Sequence, residues 1–208
     1  MQTNIQKHRF SFLLCAGILI LSAWVSGCGG DRVLSTSEYI PWYGKHVESF
    51  TVEKSVEDLE FRLTYIPTEV QVLSRLRGEG GDEAIRAALA EETGIEYYRL
   101  QIQSKDPKRK VLDMQHPYAD VDPKLYFSFD LQQNLLLKTD SLEIPCMLYH
   151  LDQGLGMSQG IDCLLAFDTK VQPMTHRRLQ IKDDFFGLGE FQISIQDHTI
   201  EQKAQLHI

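Results

Sequence analysis

The chain is short of cysteine, of positive charge and of long apolar runs, and each shortage closes a class of function. Four cysteines among 208 residues are too few for a disulfide-built scaffold. They form neither C-x-x-C nor C-x-x-C-H, so no thioredoxin-like redox pair and no c-type haem attachment is encoded. Lys and Arg number 21 against 29 Asp and Glu, a formal charge of −8. Such a surface lacks the basic face that nucleic-acid phosphates require. No apolar run reaches the roughly 18 residues of a membrane-spanning helix. Nucleotide loops of the type G-x-x-x-x-G-K-[ST] or G-x-G-x-x-G are missing, as are H-E-x-x-H and S-x-x-K.

What is present begins with an address. Lys7, His8 and Arg9 precede an apolar stretch from Phe12 to Val25. That length suits the roughly 7–15-residue core of a secretory signal, and it ends in small residues rather than a basic stop-transfer cluster. Val25-Ser26-Gly27-Cys28 resembles the lipobox of bacterial lipoproteins: an aliphatic residue, two small ones and cysteine. The resemblance covers only the leader and anchor. It implies that residues 1–27 are removed and that Cys28, acylated, becomes the first residue and attaches the protein to a membrane. Gly29 follows the cysteine, and Asp31 lies two positions further on. By resemblance to Gram-negative sorting, this favours the outer membrane. A single acyl chain holds only marginally at about 0.8 kcal/mol per buried CH₂, so a stable anchor needs several. Loss of Lys7 and Arg9 with the leader takes the formal charge from −8 to −10.

Residues 28–44 read as anchor and tether, with Tyr39, Ile40, Trp42 and Tyr43 as an aromatic knot that docks on the domain or lies against lipid headgroups. Residues 45–208 read as one β-rich domain. Leu59, Phe61, Leu63 and Tyr65 alternate with polar residues, as do Tyr98, Leu100 and Ile102, and again Leu125, Phe127, Phe129 and Leu131. Further strands are expected at Leu135–Lys138, Leu142–Leu151, Ile161–Phe167, Arg177–Lys182, Phe191–Gln196 and Ala204–Ile208. Between the first two, Thr68 to Gln71 has capping-box spacing. Glycines at 78, 80, 81 and 94 punctuate a two-helix insertion over about 67–94. The fold class is therefore mainly β: an antiparallel β-sandwich-like domain carrying a small helical insertion.

The candidate site residues are few. If Gly154-Leu155 is a two-residue hairpin turn, Ile144 opposes Leu165, Cys146 opposes Cys163, and Leu148 opposes Ile161. Cys146 and Cys163 would then be close enough for a disulfide in an oxidising compartment. A rival reading joins Cys146, His150 and Cys163 into a soft-metal site suited to Cu(I). Asp113, Asp120 and Asp122 match no calcium loop and read as solvated carboxylates. With no catalytic motif singled out, the expectation is a non-catalytic interaction or assembly module of the cell envelope. It would have a protein partner and no cofactor. The alternatives are the copper carrier and a lipid-tethered enzyme without a known motif. An interaction module requires an exposed apolar or aromatic patch, an enzyme a deep pocket, and a carrier convergent sulfur and imidazole.

Overall fold

Alternation at Leu59–Tyr65 and Tyr98–Ile102 builds the centre of the larger sheet. The computed structural model describes residues 32–77, 79–116, 119–152, 159–170 and 176–208. The leader and Cys28 lie outside them. Strands β1 (Val33–Ser35), β2 (Thr51–Val56), β3 (Leu59–Ile66), β4 (Ile95–Ser104), β5 (Leu135–Lys138) and β6 (Glu143–Pro145) come first. Then follow β7 (Leu148–Leu151), β8 (Ile161–Asp168), β9 (Arg178–Asp183), β10 (Gly189–Ser194) and β11 (Gln205–His207). One antiparallel sheet runs β2-β3-β4-β8-β7 and a second β10-β9-β5-β6. Their apolar faces share one core. Phe61, Leu100 and Leu165 come from the first sheet, and Leu137, Leu179 and Ile181 from the second. Each such side chain contributes roughly 1.5–3 kcal/mol of burial free energy. The fold is mainly β, with the helices as a minor part.

The helical part is larger than the sequence predicts. Helices α2 (Thr68–Leu76) and α3 (Gly81–Glu91) fill the expected insertion. Thr68 does not cap α2: Pro67 holds that position, and the threonine hydroxyl donates to Ile95 O at 3.2 Å. The supposed tether is folded from Val33 onward. Its residues form β1 and α1 (Thr36–His46), where the Glu38 carboxylate reaches back to the Ser35 N–H at 3.1 Å. Tyr39 is fully buried and donates to Ala204 O at 2.8 Å, so the aromatic knot docks on the domain. Strand β1 pairs in parallel with β11, the strand that follows helix α4 (Asp197–Glu201). A second core of Leu34, Tyr39, Val72, Leu73, Ile85 and Ala204 holds this helical layer together.

Two expected strands fail. Residues 125–131 are helical: Pro123–Leu125, a π turn over Tyr126–Asp130, then Leu131–Gln133. Asp122 caps the start by accepting from the N–H groups of Lys124 and Leu125 at 2.8 and 3.0 Å, with Pro123 behind it. The second failure is Leu142–Leu151, which is two strands in two sheets. Strand β6 pairs with β5, and the chain then crosses at Cys146-Met147 into β7, beside β8. Pro145 sits on an edge strand, where its missing N–H costs no ladder bond.

An ionic cluster ties the sheets at one end. Glu96 lies on the same face of β4 as Tyr98 and Leu100. It accepts from Arg177 Nε and Nη2 at 2.9–3.0 Å and from the Tyr98 hydroxyl at 2.7 Å. Arg177, just before β9, also reaches Asp197 at 3.3 Å. At the β9–β10 turn the buried Asp183 carboxylate accepts from the N–H groups of Phe185, Phe186 and Leu188 at 2.7–3.1 Å. Gly187, at φ 80°, completes the turn; a Cβ there would lie 2.6 Å from the His116 ring. Asp183→Ala strands three backbone donors. It is expected to cost about 3 kcal/mol and to lower the melting temperature by roughly 6–12 °C. Asp183→Asn, which keeps an acceptor oxygen, should lose less. Calorimetry that found the two variants equal would contradict this role.

Candidate functional site

The π turn turns the alternating sequence inside out. Tyr126, Phe127 and Leu131 point into the core, where Phe127 meets the Phe185 ring at 4.9 Å. Leu125 and Phe129, one turn apart, are left 57% and 65% exposed. This turn packs against β7: the Tyr149 hydroxyl donates to Phe127 O at 2.5 Å. On the other side of β7 Met147 and Leu148 are 53% and 41% exposed, Leu148 alternating with the turn-facing Tyr149. Four of the six large apolar residues exposed among the described residues thus flank one contact, at the edge of the five-stranded sheet. An edge strand offers unpaired backbone groups beside these side chains.

The cysteine expectations are corrected here. Strand β7 pairs Leu148 with Ala166, Tyr149 with Leu165 and Leu151 with Cys163. Relative to the expected register, the partner of Leu148 moves from Ile161 to Ala166, five residues along. An odd shift turns every side chain to the other face. Cys146 therefore does not oppose Cys163, and both are buried free thiols. Cys146 Sγ donates to Leu148 O at 3.0 Å, and Cys163 Sγ lies 3.1 Å from the Tyr149 hydroxyl. Burial pushes Cys146 up to about 11 and Cys163 to about 12, the opposite of an activated thiol. The assumed turn at Gly154-Leu155 lies outside the described residues. His150 alternates with Tyr149, so it faces away from Cys163, and the soft-metal site does not form. Among the described residues no three His, Cys, Asp or Glu side chains gather in a metal-holding group.

A cleft of about 430 Å³ lies between the outer face of the five-stranded sheet and the helical layer. Arg62 and Arg99 rise from its floor. Arg62 Nη2 holds the Glu48 carboxylate at 2.9–3.0 Å, while its Nε lies 3.2 Å from Glu53 without an aligned hydrogen bond. Arg99 clamps Asp162 through Nε at 2.7 Å and Nη2 at 2.5 Å, and Gln101 adds a third bond at 2.9 Å. Those hydrogen bonds hold the Arg99 pKa above its ordinary value. Thr51 and Thr64 share a hydrogen bond of 2.8 Å. The lining contains no histidine and no cysteine, and its guanidiniums are already neutralised. Neither a nucleophile with its base nor an open anion site results.

Gly156-Met157-Ser158-Gln159-Gly160 spells G-x-S-x-G. A hydrolase elbow places that serine between a strand and a helix. Here the described elements on either side are the strands β7 and β8, with no helix following, and Ser158 itself lies outside the described residues. Sequence reading also missed the exposed pair Leu125 and Phe129, although Asp122-Pro123 is a helix-start signal. No protein-family model, no curated protein and no solved structure matches the chain.

Proposed function

We propose that this protein is a lipid-anchored, non-catalytic interaction module of the bacterial cell envelope. It is held through acylated Cys28, in the outer membrane, with its domain facing the periplasm or the outside. The observation that carries the binding role is the apolar border at β7, with Leu125 and Phe129 on one side and Met147 and Leu148 on the other. Exposed apolar side chains on both sides of a sheet edge mark a surface that a partner can cover, and π turns recur at functional positions. The occupant is an envelope protein presenting an apolar segment to the open edge of β7, where main-chain bonds supply affinity and side chains supply choice. The lipobox, Val25-Ser26-Gly27-Cys28, supports the anchor.

The test uses the full chain in its native cell, with a photo-crosslinking residue at position 129 or, as a control, at the exposed position 106. A discrete protein adduct from 129 and none from 106 is expected. Leu125→Asp should reduce that adduct at least tenfold while leaving the melting temperature within about 2 °C, as exposed sites do. Equal labelling from both positions would remove the proposed surface. For the anchor, Cys28→Ser should release the protein from the membrane fraction.

A further inference from the structure

The folded unit starts very close to the proposed anchor. Only residues 29–32 separate Cys28 from β1. An extended chain spans at most ~3.5 Å per residue, so Val33 stays within about 17 Å of the acylated residue. The headgroup region takes up roughly 6 Å of that span. What remains is about the diameter of one helix. With Cys28 as the anchor, helix α1, which follows β1 at once, therefore begins within reach of the bilayer surface.

The burial pattern of α1 identifies the face it presents. Tyr39, Trp42 and Tyr43 turn toward the domain. Ser37, Ile40, Pro41, Gly44 and Lys45 are exposed at helical spacing. The stripe closes with Lys45, and the one carboxylate along it is the exposed Glu38, three residues before Pro41 and seven before Lys45. Neighbouring Glu38 is engaged by Ser35, through both its N–H and its hydroxyl. Within the stripe Ile40 is 38% exposed, and beside it Val33 is 57% exposed. These are the two exposed large apolar residues, among those described, that do not belong to the β7 border.

We infer that the outer stripe of α1, with Val33, rests on the phospholipid surface and fixes the orientation of the domain. This rests on the lipid-anchor reading. Two apolar side chains are too few to bind a bilayer alone; once the anchor makes the contact intramolecular, they need only select a pose. The domain then stands in one orientation instead of swinging.

The acylated full chain is reconstituted in phosphatidylethanolamine–phosphatidylglycerol vesicles, with or without lipids brominated near the headgroup. Trp42 is the only tryptophan after Cys28. It packs against the domain, so it is replaced to remove its background emission. In a Trp42→Phe background, Ile40→Trp should be quenched at least twofold and Asp106→Trp unaffected. Acylated protein that floats with the vesicles, yet shows equal quenching at 40 and 106 or none at 40, overturns the orientation and leaves the anchor standing. Protein without acyl mass that fails to float overturns the anchor reading and the orientation with it.

Discussion

Arg177→Ala is expected to cost about 3–5 kcal/mol of folding free energy, because it strands a carboxylate at the end of the sandwich. Arg177 and Glu96 side chains are each only 12% exposed. Burial alone would pull the Arg177 pKa down, but the hydrogen bonds and charge of Glu96 hold it above its ordinary value. Without the guanidinium, Glu96 keeps only the Tyr98 hydroxyl among its present partners. At roughly 2–4 °C per kcal/mol for a domain of this size, the melting temperature should fall by about 10–15 °C. The double variant Glu96→Leu/Arg177→Met should recover most of the loss, since an apolar pair incurs no charge desolvation. Urea denaturation of the wild type and both variants measures this. A double variant as unstable as the single one would show that the cluster is needed for more than charge balance.

Alkali should unfold the protein cooperatively between about pH 10 and 12. Cys146 and Cys163 rise from 9.0 to about 11 and about 12, and burial is the main cause for both. Burial also pushes Tyr43 and Tyr126 from 10.0 up to about 12, and Tyr39, Tyr65, Tyr97, Tyr98 and Tyr149 higher still. All these groups are neutral when protonated, and their folded pKa exceeds the unfolded one. Their stabilisation is complete below about pH 9. It is lost as pH rises, because the unfolded chain releases protons that the native state retains. By pH 11 the two thiols alone remove about 5 kcal/mol, comparable to the whole stability of many domains. Melting temperatures taken from pH 8 to 11 should drop steeply. Cys146→Ser/Cys163→Ser should flatten the slope between about pH 8 and 9, where the unfolded thiols titrate ahead of the unfolded phenols. A flat profile for the wild type would mean that these groups are not buried as described. At pH 7.5 neither thiol should react with a disulfide reagent until denaturant is added.

Most of the sheet was legible from period-2 alternation. Strands β3, β4, β5, β8 and β9 lie where Leu59, Tyr98, Leu135, Ile161 and Leu179 and their alternating neighbours indicate. One face of each is buried, and that is the condition under which the period shows. The misread strand at 125–131 shows the converse. Tyr126 is apolar and falls between Leu125 and Phe127, so the run never alternated strictly. Tyr126 and Leu131, five apart, fit the π turn that closes with the Leu131 N–H on Tyr126 O. The β7 register was beyond sequence reading, because it hung on an assumed turn and on a segment that changes sheets at Cys146. Glu96 was readable and overlooked. It shares parity with Tyr98, Leu100 and Ile102, so a carboxylate on the core face already called for a cation. Which cation was not readable, since Arg177 lies 81 residues away in sequence.

The parallel pairing of β1 with β11 has a consequence for the order in which the chain becomes structured. Tyr39 closes on Ala204, 165 residues later in the sequence. Synthesis delivers segments from the amino end. Helix α1 and its aromatic residues therefore emerge early but gain their last partners only when residues 204–207 arrive. Until then Tyr39 and Leu34 are only partly covered by Val72 and Leu73, and a holdase or quality-control protease can read them. Completion of the chain, rather than its start, removes that signal.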